Sequence, residues 1–385
     1  MTVRRLGVAT LDSPLTARPD LSRDVVALGL DAGLASVGIC GAEAFDGTRN
    51  DLQERKRCGL DGGMQFTYRN PERSTDPSRI LPGAQSLIVG AWSYRQAEPQ
   101  PEPSDGTGST PEATARPVGV VARYARSDHY RSLRVALAVM ADHLKKQGWR
   151  ATLVCDDNGL VDRAAAHRAG LGWFGKNSLI LLPGKGSWFV LGSVVTDAPL
   201  ERSTAAAFGH GEGCGTCSRC LDACPTGALV SPGVLDSRKC LAWLVQAPGT
   251  FPVSYRKALG NRIYGCDDCQ EVCPINRLSD RKDPPAVASD RHQAHVDLLH
   301  LLTASDEDLL VEHGRWYIPG RAPRYLRRNA LVALGNGGDG RDPGTAATLS
   351  RWLAADDPML VEHAAWAARE LGRDDLISGD GGPSR

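Results

Sequence analysis

The sequence has no apolar run of the roughly 18 residues that a membrane helix needs, so no membrane span is expected. Its first residues, "MTVRRLGVATLDSPLTARPD", are basic in places but contain no apolar h-region. That argues against a secretory signal and for a reducing cytoplasm. Net charge is also lacking: 45 Lys and Arg balance 45 Asp and Glu. The total therefore does not point to nucleic acid, although a local basic patch still can.

Cysteine is plentiful. There are 11 in 385 residues, an odd count, and most are clustered at CxxC spacing. In a reducing compartment this favours metal ligation over disulfides. The length allows two or three domains of about 100–200 residues each. Apolar residues, at 42%, can supply a sizeable core.

Along the chain, "RPDLSRDVVALGLDAGLASVGIC" reads as a helix and then a strand, and "PGAQSLIVGAW" as another strand. Residues 95–116 are rich in Pro, Gly, Ser, Thr and Glu and read as a disordered loop. A helix from Arg131 presents Leu133, Leu137, Met140 and Leu144 on one face and stops at Gly148. "RATLVCDD" is then a strand, and "SLILLPGKGSWFVLGSVVTD" reads as two strands joined by "PGKG". The alternation predicts an α/β domain over 1–205. "ERSTAAAFGHGEG" reads as a hinge into a cysteine-rich block, 206–285. "RYLRRNALVALGN" and "PMLVEHAAWAARELG" predict paired helices of HEAT type within 286–375, followed by a disordered tail over 376–385.

The cysteine block contains two runs: Cys214-x2-Cys217-x2-Cys220-x3-Cys224-Pro225, and Cys266-x2-Cys269-x3-Cys273-Pro274. Cys240 lies between them. Eight thiolates suffice for two [4Fe-4S] clusters. In the bacterial ferredoxin signature the fourth cysteine of a run ligates the other cluster. This predicts one cluster on Cys214, Cys217, Cys220 and Cys273, and a second on Cys224, Cys240, Cys266 and Cys269. Zinc sites use C-x2-4-C pairs with wider gaps, and the three closely spaced cysteines fit them poorly. Cys40, Cys58 and Cys155 read as small buried residues.

Clusters deliver single electrons, so a second redox centre or a reducible substrate is expected nearby. The candidate site lies in "LVCDDNGLVDRAAAHRAGLGWFGKNSLI". Asp156 and Asp157 end a predicted strand, where open α/β sheets place ligands. Gly170, Gly172 and Gly175 would let backbone approach a flat or phosphorylated ligand. The same glycines also suit a turn-rich connection, and Asp156 also suits a helix cap. The spacing is not G-x-G-x-x-G and the loop precedes a strand, so a Rossmann nucleotide site is disfavoured.

With "DPSRILPGAQSLIVGAWSY", "CGTCSRCLDACPTGAL", "LDSRKCLAW", "IYGCDDCQEVCPINR" and "RYLRRNALVALGN" in the same order, the chain resembles the epoxyqueuosine reductases from about residue 20 to 370. These are cobalamin and iron–sulfur enzymes of tRNA queuosine synthesis. The resemblance implies an α/β cobalamin-binding domain, a two-cluster ferredoxin-like domain and a C-terminal α-helical HEAT-like segment. It implies that the clusters reduce base-off cobalamin, whose cobalt attacks the epoxide of epoxyqueuosine at the tRNA wobble position. The family's proton donor falls on Asp156. Corrin contacts fall on Met64, Arg163, Gly172, Lys176, Ile180, Leu191, Asp267 and Asp268. An external one-electron donor such as a ferredoxin or flavodoxin is implied, with the protein acting as a monomer.

Three stretches depart from the family. "LAWLVQA" follows Cys240 where the family reads "ISYLTIE", "DHY" at Asp128–Tyr130 replaces "DYH", and "CPIN" replaces "CPWN". These keep open a cobalamin and iron–sulfur reductase of a small molecule, as in the reductive dehalogenases, and an electron carrier without catalysis.

For nucleic acid the expectation falls on "GRWYIPGRAPRYLRRN". Here Arg315, Arg321, Arg324, Arg327 and Arg328 alternate with Trp316, Tyr317 and Tyr325. Arginines meeting phosphates and aromatics stacking on unpaired bases would suit a tRNA anticodon loop. Arg324, Arg327 and Arg328 are the expected tRNA contacts. The alternative is an ordinary helix start with its aromatics packed inward.

Overall fold

The computed structural model describes residues 17–95, 116–204, 211–285 and 294–378. Most of the loop expected at 95–116, part of the expected hinge and residues 379–385 lie outside these. Asp375–Ser378 form a helical turn, so the expected tail does not begin at 376.

The centre of the N-terminal half is a four-stranded sheet in the order Ser36–Gly41, Ser86–Ser93, Phe189–Thr196, Ala151–Cys155. Every pairing in it is antiparallel. Side chains alternate across the pleat as period-2 geometry requires. Ile88 and Val194 join one core with the helices Pro19–Asp31 and His129–Lys146, where Leu21, Val25, Leu133, Leu137, Met140 and Leu144 are buried. Leu87, Val89 and Val195 face the opposite core, with Leu52 from the helix Asp46–Arg57 and Ala164, Ala165 and Ala166 from the helix Asp162–Arg168. The sheet is covered on both sides, so its two central strands are mostly apolar, with Leu87 to Trp92 free of polar side chains.

The expected "PGKG" hairpin is only partly formed. Ile180–Leu181 pairs with Trp173–Phe174 instead, and a single bridge, Leu182 to Gly186, connects it toward Phe189–Thr196. Gly186 is left-handed (φ 78°). A Cβ there would lie 2.1 Å from Oδ1 of Asn276, which accepts from the Ser187 N–H at 2.7 Å. Only glycine lets the two segments meet this closely.

A second sheet joins the three sequence blocks. Val118–Val121 pairs in parallel with Arg262–Tyr264 and antiparallel with His295–Asp297. The cysteine-rich segment is thus tied to its neighbours by backbone hydrogen bonds.

Behind this sheet the helices Leu298–Thr303, Asp306–His313, Arg324–Gly337, Pro343–Leu353 and Pro358–Glu370 share one apolar core. Asp297, Ser305, Asp342 and Asp357 each cap a helix through a side-chain oxygen. Arg324–Gly337 is surrounded: ten consecutive residues, Leu326 to Gly335, are buried. Among the described residues no helix is long and apolar enough to cross a membrane.

Candidate active site and cluster-binding segment

A cavity of about 1210 Å³ opens between the N-terminal sheet, the cysteine-rich segment and the start of the C-terminal helices. Its wall includes Asp156, Asp162, Arg163, Tyr130, Met64, Ile180 and Leu191 from the first block. Cys224, Cys240, Cys266, Cys269, Asp267 and Asp268 come from the second, and Arg315 and Tyr317 from the third.

Electrostatic coupling links most of the cysteine thiols within two sets. Burial, and then Cys214, Cys273 and Cys217, push the Cys220 thiol up to about 11. Burial raises Cys273, with Cys214 and Cys217 adding to it. In the other group, burial takes Cys266 to about 12, with Asp268 next and Cys240 among its neighbours. Burial, then Cys266 and Cys240, lift Cys269, and Asp267 and Cys220 of the first set add to it. Burial lifts Cys240, with Cys224 close by. For Cys224 burial is outweighed by the N–H groups of Leu229, Thr226 and Ala228, which favour thiolate. Binding iron displaces these protons, so cluster assembly releases them.

Of the eight thiols, Cys224, Cys240, Cys266 and Cys269 line the cavity. Among the described residues no three such donors converge on a single ion. A cubane holds its thiolates at the corners of a larger cage, so the thiol chemistry fits a cluster. Of the remaining cysteines, Cys40 and Cys155 are buried as expected, but Cys58 is exposed, at the end of the helix Asp46–Arg57.

Asp156 directly follows the strand Ala151–Cys155 and is left-handed, with φ 53°. Strain of this kind is most often kept at functional sites. The residue is accessible from the cavity, yet burial of its carboxyl is the main force raising its pKa; Asp128 and Asp157 add to it and Arg134 opposes it. Asp162 begins the next helix. Burial and then Asp156 raise its pKa well above the ordinary carboxylate range, and its Oδ1 is buried with no hydrogen-bond partner among the described residues. Burial likewise raises Tyr130, followed by Asp156 and Asp162. Asp156, Asp162 and Tyr130 therefore form a group of acids, each with its pKa raised, on one side of the cavity, with the cluster-type thiols on its wall.

Residues 213–276 match the family model for a 4Fe-4S double cluster binding domain. Over 92% of its length the chain is 33% identical to an epoxyqueuosine reductase of Bacillus cereus, of which it covers 90%. It is also 33% identical to that of Xanthomonas campestris over 94% of the chain and 99% of the relative. The chain belongs to the epoxyqueuosine reductase family. Its fold matches a Bacillus subtilis epoxyqueuosine reductase structure with a TM-score of 0.80 at 30% identity, covering 94% of this chain and 93% of that one. It matches an epoxyqueuosine reductase crystallised with an epoxyqueuosine-modified tRNA-Tyr stem loop with a TM-score of 0.79 at 29% identity, covering 95% of each. Like those relatives, the chain is an oxidoreductase.

Set against this family's expected corrin contacts, the structure separates two groups. Met64, Arg163, Ile180, Leu191, Asp267 and Asp268 line the cavity. Arg163 donates to the Ser178 carbonyl at 3.2 Å. Asp267 accepts from the Arg123 N–H at 2.7 Å, and Asp268 is held by Arg262 at 2.7 and 2.8 Å. Both carboxylates therefore anchor the cluster loop.

Gly172 and Lys176 are not on the cavity wall. A Cβ on Gly172 would lie 2.1 Å from the Leu181 carbonyl, so this glycine serves strand packing. The Lys176 ammonium donates to the Gly215 carbonyl at 2.7 Å, which pins the first cysteine loop.

Two of the three expected tRNA contacts, Arg327 and Arg328, are corrected as well. Arg328 is 1% exposed and donates to the carbonyls of Leu244, Val245, Ala247 and Gly249. Arg327 is buried and engages Asp306 and the Ala304 carbonyl. Arg324 pairs with Asp357 at 2.8 Å. Trp316 is buried and stacks on Tyr264, with centroids 4.7 Å apart. Tyr317, 55% exposed, and the exposed Arg315, both on the cavity wall, keep the expected availability, as does the exposed Arg321.

Residue reasoning did not single out Asp162, Tyr130 or the rim arginines Arg55, Arg69 and Arg73. Asp162 and Tyr130 stand inside motifs already quoted. Nothing in their spacing shows that they turn toward one cavity.

Proposed function

We propose that the chain reduces epoxyqueuosine to queuosine in tRNA, with two [4Fe-4S] clusters feeding a cobalamin held in the large cavity. The supporting observation is that four cluster-type thiols and the Asp156 carboxyl face the same cavity. Its volume exceeds the usual 300–1,000 Å³ of small-ligand pockets. That suits a corrin together with a modified nucleoside. The apolar side chains of Met64, Ile180 and Leu191 offer a face for the ring, and Arg163 a charged edge.

Removing the epoxide oxygen as water takes two electrons and two protons. Cobalamin, when bound, supplies a strongly reducing metal centre next to the substrate. The chain's own residues do the rest. Cys214, Cys217, Cys220 and Cys273 hold the cluster away from the cavity, where an external donor can deliver electrons. Cys224, Cys240, Cys266 and Cys269 hold the cluster beside it. Asp156, whose pKa burial raises, gives one proton to the alkoxide left when the ring opens, and solvent supplies the second. The C-terminal helices, read as HEAT-like, support Tyr317 and Arg315 at the cavity mouth, where an extruded wobble nucleotide would enter.

The decisive experiment is anaerobic reconstitution with iron, sulfide, cobalamin and a reductant. Nucleosides from epoxyqueuosine-containing tRNA are then analysed by mass spectrometry. Queuosine should appear. Its absence with fully loaded protein would overturn the reading.

A further inference from the structure

We propose that Arg69 and Arg73 form a ribose–phosphate site at the mouth of the cavity, beside the loop that carries Asp156. The proposal rests on the tRNA reading above and adds to it where the polynucleotide backbone is held.

Two short helical turns, Gln65–Tyr68 and Pro71–Ser74, meet at Asn70. Asn70 caps the second turn by accepting from the Arg73 N–H at 3.1 Å, and Pro71 beside it is buried. The backbone that bears the two arginines is thus fixed. Arg69 and Arg73, with Asn70 and Asn158, enclose a pocket of about 310 Å³. Arg69, Arg73 and Asn158 also line the large cavity, so the two spaces are continuous.

Neighbouring arginines are neutralised: Arg49 by Asp46 and Glu72, Arg57 by Glu54, Arg79 by Asp76. Arg69 and Arg73 are exposed, and neither guanidinium has an ion pair or hydrogen bond among the described residues. The nearest carboxylate in the segment, Glu72, is taken by Arg49 and Gln53. On the opposite wall, Oδ1 of Asn158 is buried and has no partner among the described residues. The pocket therefore offers two cationic forks, and a turn of the Asn158 amide would bring its unpartnered acceptor into it.

A ribonucleotide backbone matches both. Its phosphate meets a guanidinium, singly or bidentately, and its sugar hydroxyl donates to an amide oxygen. Phe66, 44% exposed and on the same wall, adds an apolar face for a base.

The chemistry has two possible sources: the substrate RNA, or the nucleotide tail of the corrinoid. The exposure of both arginines at the rim favours the RNA.

The test uses the full, cluster-loaded chain as Arg69→Ala/Arg73→Ala and as Arg69→Lys/Arg73→Lys, with melting temperature as the check on folding. One arm measures affinity for an anticodon stem-loop RNA across a salt titration. The other measures cobalamin binding by absorbance, without RNA. For the alanine pair we expect RNA affinity to fall about tenfold or more at low salt. The slope of log affinity against log salt should shrink by roughly one to two. Cobalamin binding should be unchanged. The lysine pair should keep most of the slope but lose part of the affinity. Weakened cobalamin binding with unchanged RNA affinity assigns the same site to the corrinoid tail. No change in either arm overturns the site. If the parent protein itself binds no such RNA, the tRNA reading has failed, and the cobalamin arm alone decides the site.

Discussion

The Tyr94 hydroxyl donates a 3.1 Å hydrogen bond to Oε1 of Gln270, and the pair ties the N-terminal sheet to the cluster loop one residue after Cys269. Ser187 donates to the same oxygen at 3.0 Å. Asn276 completes a closed network by donating to the Gln270 carbonyl at 2.9 Å and to the Ser187 hydroxyl at 3.0 Å. Gln270→Leu should strand the buried Tyr94 hydroxyl, at about 1–3 kcal/mol, and remove a second bond from Ser187, which keeps Asn276, whereas Tyr94→Phe removes one bond, for about 1 kcal/mol. Anaerobic melting of the loaded protein checks the order. Equal losses would show that Gln270 is not the shared acceptor.

Loss of single thiols should separate the clusters. Cys273→Ser should remove the cluster away from the cavity and leave the signal of the other, and Cys240→Ser should do the reverse. Each variant should lose about half of the parent's iron. Electron paramagnetic resonance and iron analysis decide it. If both variants lost the same cluster, the crossed assignment would fall.

Asp156→Asn should retain iron and cobalamin but lose turnover by about 10²–10⁴-fold, the usual contribution of a positioned proton donor. Because burial raises the Asp156 pKa, the required protonated form persists above the ordinary carboxylate value of 3.8. Activity should therefore fall as pH rises through that raised value. A pH–rate profile of the parent, measured with pre-reduced enzyme, checks the direction.

The sign for Asp162 concerns stability. Its carboxyl titrates well above 3.8 in the fold, first through burial and then through Asp156, but near 3.8 when unfolded. The native state holds the proton longer. Stability therefore declines as pH rises from about 3.8 through the raised native value, and stays lower beyond it. Asp162→Asn should melt higher than the parent at neutral pH, and the gap should close below about pH 4. Melting curves across that range are the measurement. A constant gap would show that the carboxyl is not what titrates.

Arg328→Ala should behave as a folding defect and not as an RNA-binding defect. Burial draws the guanidinium down to about 10, and its hydrogens satisfy four carbonyls at the end of the helix Leu241–Leu244 and just after it. Stranding them should cost at least about 3 kcal/mol. Soluble yield and melting temperature should fall, while the salt slope of RNA binding per folded molecule stays at the parent's value.

Much of this was legible before any fold was known. Local chemistry carries the cysteine runs, the helix from His129 to Lys146 and the strand ending at Cys155, because ligand spacing and apolar periodicity are properties of neighbours in the chain. Asp156 was legible through its resemblance to the family motif. The tRNA arginines show the limit. A helix rich in arginine reads as an exposed cationic face only if one side meets solvent, and Arg324–Gly337 is enclosed, which turns Arg327 and Arg328 inward. Gly172 and Lys176 lie in the same motif, and only the fold shows that Gly172 packs against the Leu181 carbonyl and that Lys176 donates to the Gly215 carbonyl.

By itself, then, the sequence determined the thiol count, the spacing of the two cysteine runs and the acid that follows the strand, since each depends on neighbours in the chain. Only the tertiary structure decided which four thiols face the cavity, that Asp162 and Tyr130 join Asp156 there, and which arginines remain free at its rim. Those facts depend on how three distant segments pack around one space, and no local pattern encodes that packing.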